Sequence, residues 1–136
     1  MKNWEENILT EPAAIKALLA QIRTVAVLGI KTEAQAGQPA FYVPQYLASA
    51  GLEIIPVPVY YPEVREILGR PVYRRLVDIP QEIDLVNVFR RPRDIPQHVA
   101  DILAKKPKAV WLQSGIRHDE VAQELARAGI LVVQDR

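Results

Sequence analysis

Apolar positions recur along this chain in two rhythms, and their alternation outlines a layered α/β fold. Ile15, Leu18, Leu19 and Ile22 follow one another at helical spacing and mark one apolar helix face. Thr10-Glu11-Pro12, just before them, predicts the helix start: a hydroxyl N-cap, an acid in the first turn, then a proline whose missing N–H costs little there. Residues 24–29 form a continuous β-prone run that stops at Gly29. Such a run, apolar without alternation, suits a parallel strand covered on both faces. Residues 39–50 read as a helix stopped by Gly51, with Pro44 early enough to be tolerated, and residues 52–57 as a second strand closed by Pro58.

The second half repeats the scheme. Residues 63–68 predict a short helix ending at Gly69, with Pro71-Val72-Tyr73 extended after it. Residues 83–89 are a buried strand ended by Arg90-Arg91-Pro92. Asp94 is expected to cap a helix running to Lys105, with Val99, Ile102 and Leu103 toward the sheet. Residues 109–112 predict the next strand, Gln113-Ser114-Gly115 its turn, residues 118–128 a helix stopped by Gly129, and residues 130–133 the last strand.

Strands alternating with helical segments imply βαβ units with right-handed crossovers. The expected fold is a Rossmann-like α/β domain over residues 1–136, with a doubly wound five-stranded parallel sheet in the order 3-2-1-4-5. In such a sheet a ligand sits beyond the carboxyl ends of the strands, where the strand order reverses. That rule selects residues 29–37, 57–61, 88–91 and 113–115.

Composition narrows the function. Of 136 residues 49% are apolar and 24% charged, the balance of an ordinary globular domain. Seventeen basic against sixteen acidic residues leave a net charge of +1, without the footprint of a dedicated nucleic-acid binder. There is no cysteine, which removes disulfides, zinc-thiolate sites and thiol nucleophiles. The first residues, Met-Lys-Asn-Trp-Glu-Glu, carry no apolar signal core, and no apolar run reaches the ~20 residues of a membrane span. A cytoplasmic location is therefore expected. The eleven prolines punctuate the chain and read as element boundaries.

The selected segments differ in chemical content. Gly29 ends the first strand and Gly37 closes the loop after it, so backbone can approach a phosphate near a helix N-terminus. The eight-residue spacing is not GxGxxG. A dinucleotide also calls for an acid at the end of the second strand, where Pro56-Val57-Pro58 stands; Glu53 lies at the other end, so NAD is disfavoured. Arg90, Arg91 and Arg93 suit a phosphate, with at most two of them able to face the crevice. His98 and His118 fall within and at the start of helices, without metal-ligand partners, and suggest surface or capping roles. Ser114 lacks the GxSxG elbow of a nucleophile, and Asp84, Asp94 and Asp119 look like strand-start and cap residues. Tyr60-Tyr61 is either an adenine wall or a cover for the sheet edge.

Taken in order, several blocks resemble the stand-alone CoA-binding protein family, related to the N-terminal domain of the succinyl-CoA synthetase α subunit. They are Val-Ala-Val-Leu-Gly at 25–29, Gly-Leu-Glu-Ile-Ile-Pro-Val at 51–57 and Ile-Leu-Gly-Arg-Pro-Val-Tyr at 67–73. Ile-Asp-Leu-Val-Asn-Val-Phe-Arg-Arg-Pro at 83–92, Ala-Val-Trp-Leu-Gln-Ser-Gly at 109–115 and Gln-Asp-Arg at 134–136 complete the set. The resemblance implies a nucleotide lying across Gly29, Ile30, Lys31 and Thr32, across Val57 and Pro58, across Val88, Phe89 and Arg90, and across Gln113, Ser114 and Gly115. Two departures stand out: Lys31-Thr32 occupies the place of the family's small hydroxyl residue, and Pro58 the place of an asparagine that would offer a side-chain amide.

The function so implied is non-catalytic binding of coenzyme A or acyl-CoA through its nucleotide, with no nucleic acid, membrane or metal involved. One alternative is a detached component of an ADP-forming acyl-CoA synthetase, for which this chain offers no second domain with a phosphorylatable histidine. The other is an NAD- or nucleotide-responsive regulator, for which the roughly 23 residues before the first strand hold no basic winged helix.

Overall fold

Val25, Ala26, Val27 and Leu28 all lie within 2% of complete burial, because the strand that carries them is sandwiched between two helical layers. The computed structural model describes residues 3–136. Along the chain run α1 (Pro12–Leu19), β1 (Thr24–Leu28), α2 (Pro39–Ser49), β2 (Glu53–Val57) and a small hairpin of β3 (Glu66–Ile67) and β4 (Arg70–Pro71). Then come β5 (Leu85–Val88), α3 (Val99–Lys105), β6 (Ala109–Leu112), α4 (Asp119–Arg127) and β7 (Leu131–Val133). The five longer strands form one parallel sheet, with Leu28 of β1 opposite Val57 of β2 on one side and Val88 of β5 on the other.

One face of the sheet carries Ala26, Leu28, Val86 and Val110 against Ile102 of α3 and Leu125 of α4. The other carries Val25, Val27 and Leu85 against Ile15 and Leu18 of α1 and Phe41 of α2. The helices end at the caps Ala50 and Ala128, just before the two glycines expected to stop them.

The doubly wound parallel sheet is as expected, but its strand order is not. The order is β2-β1-β5-β6-β7, or 2-1-3-4-5 among the long strands, in place of 3-2-1-4-5. Leu76, Ile79 and Ile83 explain the difference: they bury themselves on the α3 and α4 face. The connection from β2 to β5 thus crosses the face opposite α2. Because parallel crossovers are right-handed, changing face reverses the direction of travel along the sheet. The third long strand therefore lands beside β1, and the switch point falls between β1 and β5.

Three local expectations also fail. Residues 63–68 form no helix; Leu68 and Gly69, with φ of +55° and +71°, make the two-residue turn of the β3–β4 hairpin. Ile67 is completely buried beneath it, so tertiary packing decides the conformation. Asp94 is no helix cap: Pro92–Asp94 and Pro96–His98 are separate 3-10 turns before α3, and the Asp94 carboxylate pairs with Arg91 at 3.1 Å. Thr10 does not cap α1 either; Glu11 holds that position without a side-chain bond, and the Thr10 carbonyl accepts from the Arg136 guanidinium at 2.9 Å.

At the switch point Gly29 continues the ladder, its N–H donating to the Val57 carbonyl while Phe89 N–H donates to Leu28, both at 2.9 Å. Its φ is +86°, and a Cβ there would sit 2.2 Å from the Phe89 carbonyl oxygen. Gly29→Ala is therefore expected to lose about 3 kcal/mol or more in urea denaturation, through left-handed strain and a backbone clash. Gly37→Ala, with nothing within 4 Å of the added methyl, should be neutral or slightly stabilising. Equal losses at the two glycines would refute the close approach.

Asp84 ties the other end of the sheet together. Its Oδ2 accepts from Arg23 N–H (2.8 Å) and Thr24 N–H (3.1 Å), and Lys108 Nζ lies 3.7 Å from Oδ1. Burial pushes this carboxyl up, but the two backbone donors and the ammonium outweigh it and hold it below the usual range. A depressed folded-state pKa means that the stabilisation is complete above about pH 4 and is lost as pH falls through the folded value. Asp84→Asn should thus cost about 1–3 kcal/mol at pH 7, and less at pH 3, when the two proteins are compared by chemical denaturation.

Candidate functional site

The carboxyl ends of β1, β5 and β6 open into a cleft of about 780 Å³, walled on its far side by the start of α2. Six of the residues expected at the ligand line it: Lys31, Phe89, Arg90, Gln113, Ser114 and Gly115. Others lie beneath it. Ile30 is 1% exposed and packs with Phe41 and Val27, so its side chain belongs to the core. Thr32 caps the 3-10 turn Glu33–Gln35, its hydroxyl accepting from Ala34 N–H at 3.2 Å. Val57, Pro58 and Val88 are buried, and none of the three lines the cleft. Gly29, which was expected to let backbone approach a phosphate, has its α-carbon face pressed to the Phe89 carbonyl.

The cations come from loops that the core strands aim. Lys31 follows the buried Ile30, its N–H donates to the Ala40 carbonyl at 3.1 Å, and its ammonium donates to the Gln38 side chain. Arg90 is half-buried. Its Nε–H donates to His98 Nε2 at 3.2 Å, and its Nη1 lies 3.4 Å from the Tyr60 hydroxyl. The guanidinium carbon stands 5.8 Å from the centre of the Tyr60 ring, within cation–π range. Arg91 also lines the cleft while pairing with Asp94, and Arg93 lies outside it.

His98 therefore does more than occupy a surface helix position. It lies behind Arg90 as the acceptor that orients it. Burial and the adjacent Arg90 charge push its pKa below the usual histidine value, against the weaker opposing pull of Asp101 and Asp94. The neutral imidazole, with a free Nε2 lone pair, is the form that receives the guanidinium N–H. His118 does serve as a cap: its Nδ1 accepts from Val121 N–H at 3.2 Å.

The turn after β6 is partly spoken for. Gly115 N–H donates to the Asp135 carboxylate at 2.6 Å, so this donor is engaged and a negative charge stands beside it. Ser114 is exposed at the rim, and the Gln113 amide donates to Asn87 Oδ1 below. On the β2 side Arg74 pins the loop of Tyr60 and Tyr61, donating to their carbonyls at 3.0 and 2.9 Å and to Val64 at 2.7 Å. The Tyr60 and Tyr61 rings meet edge to face, and Tyr60 remains 57% exposed, so it does not cover the sheet.

Sequence reasoning missed Gln38, Tyr42, Val43 and Arg136, which also line the cleft. Arg136 carried a signal, since it follows β7 at the same carboxyl edge as the segments that were selected. The α2 residues carried none, because their register depends on the 3-10 turn that precedes the helix. Among the described residues no helix is long and apolar enough to cross a membrane.

Comparison with known proteins finds relatives that share the fold and the family. An uncharacterized protein of Bacillus subtilis (strain 168), YneT, is 32% identical over 123 residues, covering 90% of this chain and 87% of its own. The structure of cell-free ID.343 from Thermus thermophilus superposes with a TM-score of 0.84 at 39% identity, over 93% of this chain and 92% of that one. A dinucleotide-forming acetyl-coenzyme A synthetase of Ca. Korarchaeum cryptofilum, solved with phosphate and ADP, shares the fold at 17% identity and a TM-score of 0.66. That likeness spans 80% of this chain and 25% of the synthetase. The family described as "CoA binding domain" matches residues 23–136, every strand of the sheet and the whole cleft included, and this chain belongs to that family.

Proposed function

We propose that this protein binds coenzyme A or acyl-CoA in the switch-point cleft, through the nucleotide, and performs no chemistry on it. One observation carries the reading: four basic residues, Lys31, Arg90, Arg91 and Arg136, line the cleft, and among the described residues no aspartate or glutamate does, Asp135 standing only at its edge beside Gly115. Coenzyme A brings a diphosphate and a ribose 3′-phosphate, anions that arginine binds through paired N–H donors. NAD lacks the 3′-phosphate and would look for an acid at the end of β2, where Val57 and Pro58 are buried. Both histidines are engaged, His118 capping a helix and His98 holding Arg90, and Ser114, exposed at the rim, has no histidine hydrogen-bonded to it among the described residues.

Arg90 is assigned to the 3′-phosphate. Arg90→Ala should weaken coenzyme A binding by roughly ten- to a hundredfold in calorimetry, the loss of one charge-assisted hydrogen bond, and hardly change binding of dephospho-CoA. Arg93→Ala, outside the cleft, should bind as wild type. Equal losses for both ligands would move Arg90 to the diphosphate. A protein stabilised more by NAD than by coenzyme A at equal concentration would end the reading altogether.

The Arg90–His98 pair makes a second, pH-dependent prediction. A depressed folded-state pKa means that His98's contribution to stability is complete above about pH 6.5 and is lost as pH falls through the folded value. Proton NMR should give His98 a titration midpoint below 6.5 in the wild type, moving upward in Arg90→Ala, where the neighbouring charge is gone. An unchanged midpoint in that variant would dissolve the pairing.

A further inference from the structure

Below the cleft, on the α1 and α2 face, the sheet is left partly open. A groove of about 330 Å³ runs between Leu19 at the end of α1 and Leu47 of α2, with Leu85 and Trp111 on its floor. That volume lies within the range of small-ligand cavities. It is not a separate hollow. Val43, Gln113 and Arg136 line both the cleft and the groove, so one leads into the other at the carboxyl edge of β6.

Polarity changes along its length. Asn87, 1% exposed, lies on β5 one inward-facing position below Phe89, and Gln113 lies one such position above Trp111 on β6. Gln113 donates to Asn87 Oδ1, so the pair sets two side-chain amides at the junction with the cleft. Asn87 Nδ2 donates to nothing among the described residues. Deeper in, Leu19, Ile22, Leu47, Leu52 and Leu85 supply apolar walls. The indole Nε1–H of Trp111 is also buried with no hydrogen-bond partner among the described residues. Buried donors are nearly always satisfied in folded proteins, so the unfilled Trp111 donor beside this groove points to an absent acceptor.

We propose that this groove holds the acyl group of an acyl-CoA, its carbonyl beside the Asn87 and Gln113 amides and the Trp111 N–H, and its alkyl chain between α1 and α2. The proposal rests on the coenzyme A reading above and deepens it. An amide-lined mouth followed by an apolar interior matches a thioester, which has an acceptor oxygen followed by hydrocarbon. Counting a methylene as close to a water molecule in size, roughly 30 Å³, the groove has room for a chain of up to about ten carbons. The other candidate occupant is a second copy of this chain, since Leu19 at the groove is exposed, as are Tyr42 and Tyr46 on α2.

Calorimetry on the full chain with coenzyme A and its acetyl, butanoyl, hexanoyl and octanoyl thioesters tests the assignment. Each methylene from acetyl to hexanoyl should tighten binding, up to about fourfold where it is fully buried. Leu47→Phe, which fills the groove, and Leu19→Trp, which closes it from an exposed position with little risk to folding, should bind coenzyme A as wild type and lose that gain. Hexanoyl-CoA should shift Trp111 fluorescence in a Trp4→Phe protein, and coenzyme A should not. Binding of coenzyme A with no dependence on chain length, or a gain that survives both variants, would overturn the groove and leave the cleft standing. S-hexanoyl-N-acetylcysteamine, which lacks the nucleotide, separates the two failures. If it shifts Trp111 fluorescence while coenzyme A does not bind, the groove stands and the nucleotide reading falls. A dimer in sedimentation that Leu19→Trp dissociates, with no acyl effect, would assign the groove to a second copy.

Discussion

A missing side chain at Gly29 allows β1 and the loop after β5 to meet. A Cβ at this position would overlap the Phe89 carbonyl, so the two backbones approach as closely as they do only because none is there. The N–H of Gly29 bonds to Val57 and that of Phe89 to Leu28, so the three strand ends are cross-tied at the level where the cleft opens. The next residue on each path, Ile30 and Arg90, then diverges: Ile30 turns into the core and Arg90 toward His98 and Tyr60. The placement of the cleft's cations descends from this contact.

Two kinds of residue build the site. Buried strands contribute position, because Val57, Val88 and Leu112 are held in the core and set where the chain leaves the sheet. Loops contribute charge. Lys31, Arg90 and Arg91 come from segments just outside strand ends, where a long basic side chain can reach a ligand without burying its own charge. His98 lends Arg90 a fixed direction from the turn before α3, a service that needs a neutral acceptor and a half-buried setting.

The two faces of the sheet are not equally covered. The α3 and α4 face is closed by Leu76, Ile79 and Ile95 as well as by the helices. The opposite face is covered by α1, α2 and the β3–β4 hairpin, whose Ile67 is buried in it, and Trp111 and Leu131 remain partly exposed there. The β2 to β5 connection is divided between the two faces: Ile67 of its hairpin packs with α1 and α2, and Leu76, Ile79 and Ile83 pack with α3 and α4.

Alternating apolar runs and helical patterns were enough to determine five parallel strands, their two-sided cover and the edge at which the cleft opens. Unbroken runs such as Thr24–Leu28 leave no polar face to expose, and that follows from residue type alone. The ordered blocks from residue 25 onward were enough to point to the family. The strand order was not legible, because it depends on which face Leu76, Ile79 and Ile83 choose, and three spaced apolar residues do not state a face. Residues 63–68 misled for a similar reason: Ile67 is buried in a hairpin whose turn at Leu68 and Gly69 local propensity does not predict. Of the site, Lys31, Phe89, Arg90 and Gln113 could be read in advance, since strand ends point to the cleft. Tyr42, Val43, the partnership of His98 with Arg90 and the path past Asn87 to Trp111 join residues from separate elements, and only packing in three dimensions decides which of them meet.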